Sequence, residues 1–346
     1  MKGRLMVLGV THGREAAALI EDGELAELLV APDAPAPETL LRARVGRQVK
    51  GLGGVFVDLP GGQSGFLRAP KGLRPGQVLA VQVTGAAEPG KAVPVTERLL
   101  LRGRHAILTP GAPGINIARG LRDDAERARL AEIAAAALAG ASADLGAILR
   151  SAAEGAEAAA IAAEIAALRA QAAAVTADHG TTPAVLLEAP GPQAMARRDW
   201  QAPYSCAEGP DAFAAHGVDE AIDALCRPEV ALGGGAGMCI EPVRALVAVD
   251  VNTGSDTSPA AGLKASLAAA RALPRALRLR GLGGSVTVDF APFPKRDRGT
   301  LEQALRAAFR REGDGVVLAG WTPLGHFELQ RRRDRAPLAT LLRARR

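Results

Sequence analysis

Residues 245–252 read ALVAVDVN, and residues 284–290 read GSVTVDF. Both stretches are apolar and rich in Val, which predicts buried β-strands over 245–251 and 285–290. A helical pattern at 260–279 separates them, and a helix at 300–310 and a strand at 315–319 continue the alternation. Strands that alternate with helices predict a mixed α/β sheet with helices packed on it.

Each of the two apolar strands reaches an aspartate at its end, Asp250 and Asp289. Asn252 lies two residues beyond Asp250 and therefore points to the same side of the strand. If the strands are neighbours, the carboxylates can converge, and Mg²⁺ is commonly bound by one or two carboxylates. The alternative is that both aspartates form turns or cap helices. The pair together with Asn252 favours a metal site.

Residues 41–101 show an all-strand pattern interrupted by Gly and Pro. Five short strands in a segment of this length predict a small OB-type barrel. Phe56 and Phe66 are the only aromatic residues between Met1 and Trp200. Exposed aromatic residues on adjacent strands of such a barrel stack single-stranded bases, and the alternative is that both fill the barrel core. The candidate strands are 41–48, 54–58, 64–68, 78–84 and 92–101.

Shorter patterns organise the rest of the chain. Strands are predicted on either side of an Asp22-Gly23 turn, and two long Ala-rich helices follow the barrel segment. The further predicted strands are 4–10, 16–21, 25–30, 147–150 and 184–188, and the further predicted helices are 123–139, 153–174 and 218–225.

The amino-acid composition limits the classes of protein to which this chain could belong. The 346 residues are 48% hydrophobic, which supports a buried core, and the net charge is only +5. Local clusters of Lys and Arg can neutralise phosphates, although each could also be ordinary solvated surface. These clusters are Arg42, Arg44, Arg47 and Lys50; Arg98, Arg102 and Arg104; Arg275, Arg278 and Arg280; and Arg331 to Arg333.

Several common sites are not predicted. The three cysteines form no CxxC, which disfavours a zinc site and suits a reducing cytoplasm. The glycine runs match neither a Walker loop nor a GxGxxG turn between strand and helix, and no HExxH or GxSxG occurs. The N-terminus lacks a signal-peptide pattern and no apolar run reaches about 18 residues, so we expect a cytoplasmic protein without a membrane span.

Together these motifs resemble the catalytic half of the ribonuclease E/G family. The clearest similarity is in 233–329, where LVAVDVN (246–252) resembles the first catalytic strand and VTVDF (286–290) the second. The segment LRLRGLGG (277–284) resembles the basic loop before the second strand, and LGHFEL (324–329) the closing segment. Upstream, residues 41–101 resemble the family's S1 domain, and ILRS (148–151) resembles an Arg-Thr pair that grips a 5′-monophosphate.

The resemblance implies a domain order and an activity. It implies an RNase H-like segment (1–40 with about 181–226, shortened), an S1/OB barrel (41–104), a helical 5′-sensor region (105–180) and a DNase I-like α/β catalytic region (227–346). The implied activity is endonucleolytic cleavage of single-stranded RNA, in rRNA or tRNA processing or mRNA decay, with 5′-phosphate products. Mg²⁺, or Mn²⁺ in its place, would activate water for in-line attack.

The resemblance also implies roles for individual residues. Asp250 and Asp289 would hold the metal, and Asn252 would orient a carboxylate or the scissile phosphate. The implied RNA-binding residues are Phe56, Phe66, Arg278 and Arg280. The implied 5′-phosphate-binding residues are Arg150, Ser151 and Gly114, against the alternative of a surface arginine beside a helix-capping serine.

Some positions depart from the family pattern. The family's zinc-link cysteine pair is missing before the chain stops at Arg346, so a homodimer is left open but zinc is not expected. Arg244 stands where an acidic residue is expected, and Ser151 replaces Thr. A second hypothesis is therefore an RNA-binding protein on the same scaffold that does not cut. Retention of Asp250, Asn252 and Asp289 together favours the nuclease.

Overall fold

The computed structural model describes residues 3–33, 35–49, 51, 53–68, 72–88, 90–201, 203–258 and 260–343. Lys50, counted above in a basic cluster, lies outside these residues. The chain divides into two units, one made of Met1–Val30 with Tyr204–Arg346 and the other of Ala31–Pro203. The first unit is therefore assembled from two separate stretches of chain.

The N-terminal stretch of the first unit is an antiparallel meander of β1 (Arg4–Thr11), β2 (Arg14–Glu21) and β3 (Glu24–Val30). The predicted strands and the Asp22-Gly23 turn are confirmed. Asp22 adopts a positive φ of 50° and Gly23 one of 87°. Tight hairpin turns of the Asp-Gly type require a positive φ at both residues.

The second unit begins with a closed five-stranded barrel, as the sequence predicted. Around the barrel the strands pair in the order β4-β5-β6-β8-β7, and β7 pairs back onto β4. Buried Val and Leu side chains fill the interior. The strands are β4 (Leu40–Val49), β5 (Gly54–Asp58), β6 (Ser64–Arg68), β7 (Val78–Val83) and β8 (Val93–Thr96).

A small sheet with two helices follows the barrel within the second unit. Its strand order is β11-β12-β10-β9, and one buried cluster joins the sheet to both long helices. The elements of the sheet and its two helices are β9 (Leu101–Arg102), β10 (Ala106–Pro110), β11 (Ile115–Ile117), α1 (Asp124–Leu138), β12 (Leu145–Leu149) and α2 (Ala158–Thr176). Two further elements follow them along the chain, β13 (Ala184–Leu187), which pairs antiparallel with β4 of the barrel, and the short helix α3 (Pro192–Asp199).

Local side-chain and backbone features determine where the two long helices of this region begin. The Asp123 side chain accepts hydrogen bonds from two backbone amides of the first turn of α1, which fixes the start of that helix. The second helix was predicted from residue 153 but begins at Ala158. Residues Ser151–Ala153 form a separate 3-10 turn, and Gly155 at a φ of 66° interrupts the helical path.

Helix α2 is long and apolar enough to cross a membrane by length and composition, with a mean hydropathy of 1.4. The sequence has no unbroken apolar run of this length, because Glu164 and Arg169 interrupt α2, but two charged residues still leave the mean hydropathy high. Core helices pass the same test, and α2 buries Ile161, Ile165 and Leu168 in the unit's core. Its Glu164 also accepts hydrogen bonds from the backbone amides of 104, 105 and 106.

The C-terminal stretch of the first unit contains a six-stranded mixed sheet in the order β15-β16-β17-β18-β20-β19. Strand β14 instead pairs in parallel with β1. The elements are β14 (Ser205–Glu208), α4 (Ala212–Ala215), α5 (Val218–Leu225), β15 (Glu229–Gly233), β16 (Ala236–Pro242), β17 (Val247–Asn252), α6 (Ala261–Leu279), β18 (Gly284–Asp289), α7 (Arg298–Phe309), β19 (Val316–Trp321), β20 (Phe327–Arg331) and α8 (Leu338–Arg343).

Side chains of the central strands alternate between a face that is packed against helices and a face that is open. Val247, Val249 and Val251 of β17 are buried with side chains of α6 and α7, whereas Asp250 and Asn252 are exposed. Strand β18 shows the same period of two. Because one face is covered by helices, polar side chains on these strands gather on the other face.

Close packing of α6 on the loop after β18 gives a stability prediction. A Cβ at Gly262 would overlap the carbonyl oxygen of Pro292, whereas a Cβ at Gly299 in α7 would meet open space. We expect Gly262→Ala to destabilise the first unit by about 1–3 kcal/mol, as overpacking does. Gly299→Ala should be neutral or stabilise by about 0.4–1 kcal/mol. Urea unfolding followed by circular dichroism measures both, and equal midpoints for the two variants would contradict the packing argument.

Candidate active site

The two strand-terminal aspartates lie side by side. Strands β17 and β18 are parallel neighbours, and Asp250 is the register partner of Asp289. On the other side, Asp250 pairs with Cys239 of β16. Neighbouring strands are about 4.8 Å apart, so both carboxylates project from one small area of the open sheet face. Both aspartates are exposed, which leaves their oxygens accessible to a cation and its water.

Polar neighbours orient and surround this carboxylate pair. The side-chain amide nitrogen of Asn252 donates a hydrogen bond of 2.6 Å to Oδ2 of Asp250. The pKa of the Cys239 thiol is raised, mainly by burial and to a smaller extent by the nearby carboxylates of Glu241, Glu229 and Asp250. The thiol therefore stays protonated near neutral pH, which argues against a role as nucleophile or soft metal ligand.

His326 is a site residue that the sequence did not predict. Its Nε2 lies 3.9 Å from Oδ1 of Asp289, close but beyond hydrogen-bond distance. The two residues, with Asp250, Glu241 and Thr287, line one cavity of about 220 Å³ on the open face. Only the antiparallel pairing of β20 with β18 brings His326 there, and no spacing in the sequence signals that pairing.

The donor set suits a hard divalent cation. Two adjacent carboxylates with room for water and phosphate are the ligands that Mg²⁺ or Mn²⁺ accepts. A structural zinc site would need about four nitrogen or sulfur ligands. Among residues 3–343, so far as the structure describes them, no group of three or more His, Cys, Asp and Glu side chains is arranged around one metal position.

Phe56 and Phe66 form an aromatic pair on the outside of the barrel. They are cross-strand register partners, and their ring centres lie 5.3 Å apart in an edge-on arrangement. Val55, Val57 and Leu67 fill the interior instead, so the core-filling alternative does not apply. A Cβ at Gly54 would overlap the Phe66 ring, which shows that the glycine lets this ring lie against the strand.

The three residues expected to grip a 5′-phosphate are only partly brought together. Arg150 and Ser151 are adjacent, but the Arg150 guanidinium already pairs with Asp199 at 2.8 Å. Gly114 lies at the other end of the β11–β12 pair, where its carbonyl accepts from the amide of Ala147. Ala147 lies three positions before Arg150 along the extended chain, so about 10 Å separates the backbone at this contact from the backbone of Arg150.

The ion pair between Arg150 and Asp199 is part of a network of ion pairs that also includes Arg198. Burial opposes ionisation of Asp199, but hydrogen bonds from Arg198 and Arg150 outweigh burial and lower its pKa. Arg198 also pairs with Glu38 at 2.7 Å. A terminal phosphate at Arg150 would therefore have to share the guanidinium with Asp199.

Arg278 and Arg280 were expected to contact RNA, and the structure gives both of them intramolecular partners instead. Arg278 pairs with Glu27 at 2.7 Å and with the buried Glu312. Arg280 is 8% exposed, donates to the carbonyl oxygen of Arg227, and has its pKa lowered by burial. Their position near the end of an amphipathic helix, where α6 meets β3, explains why a basic run in the sequence is internal in the fold.

The sequence matches a known family over most of its length. The profile of the Ribonuclease E/G family matches residues 100–205 and 193–334, which is more than half of the 346 residues. The matched region includes both aspartates, Asn252 and the segment that carries Arg150.

Individual relatives agree with this match. Ribonuclease G of Salmonella typhimurium and Ribonuclease G of Escherichia coli are each 24% identical over 405 aligned positions, covering 97% of this chain and 81% of the relative. Ribonuclease E of Nostoc sp. is 26% identical over 76% of this chain and 44% of its own length. The 405 positions exceed the 346 residues, so this chain is shorter within the aligned region. The chain belongs to the ribonuclease E/G family.

Proposed function

We propose that the protein is a Mg²⁺-dependent endoribonuclease that cuts single-stranded RNA at Asp250 and Asp289. The observation that carries the proposal is the register of β17 and β18, which sets these two carboxylates opposite each other on the open face. Membership of a ribonuclease family supplies the class of substrate and reaction. Mn²⁺ would fit the same oxygen ligands.

The roles of the residues follow from their geometry. Asp250 and Asp289 would hold the cation, which supplies an activated water and stabilises charge on the phosphate. Asn252 holds Oδ2 of Asp250 and so fixes the direction in which the other oxygen points. The exposed position of the pair admits a flexible single strand, and the products would carry a 5′-phosphate and a 3′-hydroxyl.

The second unit would bind the RNA. The Phe56–Phe66 pair offers two half-buried rings on the outer surface of an OB-like barrel, where bases can stack. The competing function is an RNA-binding protein that does not cut. Such a protein would share the barrel, but RNA binding alone does not require two exposed carboxylates in register. This observation favours the nuclease.

The test of catalysis is cleavage of a 5′-monophosphorylated, AU-rich single-stranded RNA with Mg²⁺ and with EDTA. We expect Asp289→Asn and Asp250→Asn to lower kcat/KM by roughly 100-fold or more, because metal stabilisation of the transition state is worth several kcal/mol. RNA affinity should be retained. Asp223→Asn, which removes an exposed carboxylate from α5 of the same unit, is the matched control and should cleave normally. Tight binding by the parent without cleavage would support the RNA-binding function instead.

The aromatic pair gives a binding prediction. Phe56→Ala should weaken affinity for single-stranded RNA by about 1–3 kcal/mol, the usual effect of losing one stacking platform. Fluorescence anisotropy with a labelled oligonucleotide measures the change. Phe56→Tyr keeps a stacking face and should bind nearly as the parent does. A Phe56→Ala variant with a lower Tm and unchanged affinity would assign the ring to stability.

The 5′ end of the RNA gives a third prediction. If Arg150 and Ser151 bind a terminal phosphate, the parent should cut 5′-monophosphorylated RNA faster than 5′-triphosphorylated RNA, and Arg150→Ala should remove the difference. Ser151→Thr retains the hydroxyl and should keep the preference, whereas Ser151→Ala should reduce it. Equal rates on the two substrates in the parent would contradict a role in 5′-phosphate binding and leave Arg150 with its structural contact to Asp199.

A further inference from the structure

An arginine near the catalytic carboxylates is held by an aromatic ring. The guanidinium carbon of Arg298, the first residue of α7, lies 4.4 Å from the centre of the Trp321 ring. The ring itself is anchored, because Trp321 Nε1 donates a 2.8 Å hydrogen bond to Glu302. Its edges contact Phe290, Phe293 and Phe327. The Trp321 ring therefore supports the guanidinium from one side and is itself held by several contacts.

A second contact places this guanidinium beside the metal-binding area. One terminal nitrogen of Arg298 lies 3.5 Å from the position that a Cβ of Gly325 would occupy. Gly325 directly precedes His326, whose imidazole is 3.9 Å from Asp289. Arg298 thus borders the turn that carries His326 to the site.

Arg298 lacks the carboxylate partner that other arginines of this unit have. Arg275, Arg278, Arg331 and Arg335 all form ion pairs with glutamates. Within the described part of the chain, no carboxylate lies within ion-pair distance of Arg298. A guanidinium that is fixed in place and keeps its N–H donors available is pre-organised for an anion.

The charge on the open sheet face shows why RNA binding needs a positive group nearby. Exposed Glu241, Asp250, Asp289 and Glu328 all lie on this face, so an approaching RNA backbone is repelled. A cation bound at the aspartates offsets part of that charge but can serve only the phosphate that it contacts. The phosphate of the neighbouring nucleotide requires a separate positive group, and exposed Lys295 and Arg296 raise the positive potential around Arg298.

We propose that Arg298, stacked on Trp321, binds the RNA phosphate adjacent to the phosphodiester that is cut. The inference rests on the proposed function and names a substrate-binding contact of the same site. The planar N–H fork can contact two phosphate oxygens while Trp321 covers one face. Fixing the neighbouring phosphate sets which phosphodiester lies at Asp250 and Asp289, so Arg298 is a binding and positioning residue.

The test measures RNA binding without cleavage. A labelled single-stranded RNA of ten nucleotides is titrated in EDTA against Asp289→Asn protein and against Asp289→Asn/Arg298→Ala protein at several salt concentrations. Losing one phosphate contact should weaken binding by about tenfold. It should also reduce the slope of log affinity against log salt by about 0.7, the value for one contact with a single strand. Arg306→Ala removes an exposed arginine from the same helix and should change neither quantity.

A conservative variant separates binding from folding. Arg298→Lys keeps the charge but loses the planar fork, so its salt slope should match the parent while its affinity falls by less than that of Arg298→Ala. In the cleaving protein, Arg298→Ala should raise KM with little change in kcat. An unchanged slope and affinity in Arg298→Ala would overturn the proposal even if the parent cuts RNA. A reduced slope would support the contact even if the parent does not cut.

Discussion

The parallel pairing of β17 with β18 is the constraint on which the candidate site depends. It sets Asp250 opposite Asp289, and a slip of one residue would turn one of the two side chains into the core. The register is held from the other face, where valines of both strands pack under α6 and α7. Gly262 allows α6 to approach the loop after β18 closely, so the same packing that stabilises the sheet also positions the chain beyond Asp289.

The two units present different kinds of surface. The barrel presents aromatic rings on a closed β-surface, which suit bases. The sheet presents carboxylates, which suit a cation, and Arg298 of α7 lies over Trp321 with N–H donors that suit a phosphate. Arg278 of α6 and Arg331 of β20 form internal ion pairs instead. Arg278 and Arg331 share the buried Glu312, a network whose loss on either side would leave a charge unpaired.

Strong local signals in the sequence predicted much of the fold. The limits of β5, β6 and α5 agree with the pattern, because period-two alternation, turn residues and amphipathic spacing all act locally. The sequence raised convergence of Asp250 and Asp289 only on the condition that their strands are neighbours, and the parallel pairing of β17 and β18 meets that condition. The sequence did not predict β16 or β20, and therefore missed His326, since its place depends on long-range antiparallel pairing. The intramolecular partners of Arg278 and Arg280 could not be predicted for a related reason, because charge alone does not show which residues a helix buries.

We propose that Asp250 and Asp289 jointly hold one divalent cation. Titration with Mn²⁺, followed by electron paramagnetic resonance of the free ion, tests this without any RNA. We expect one bound Mn²⁺ in the parent and in Asp223→Asn, and strongly weakened binding in both Asp250→Asn and Asp289→Asn. Equal Mn²⁺ affinity in all four proteins would contradict it, because the two carboxylates would then have no part in holding the metal.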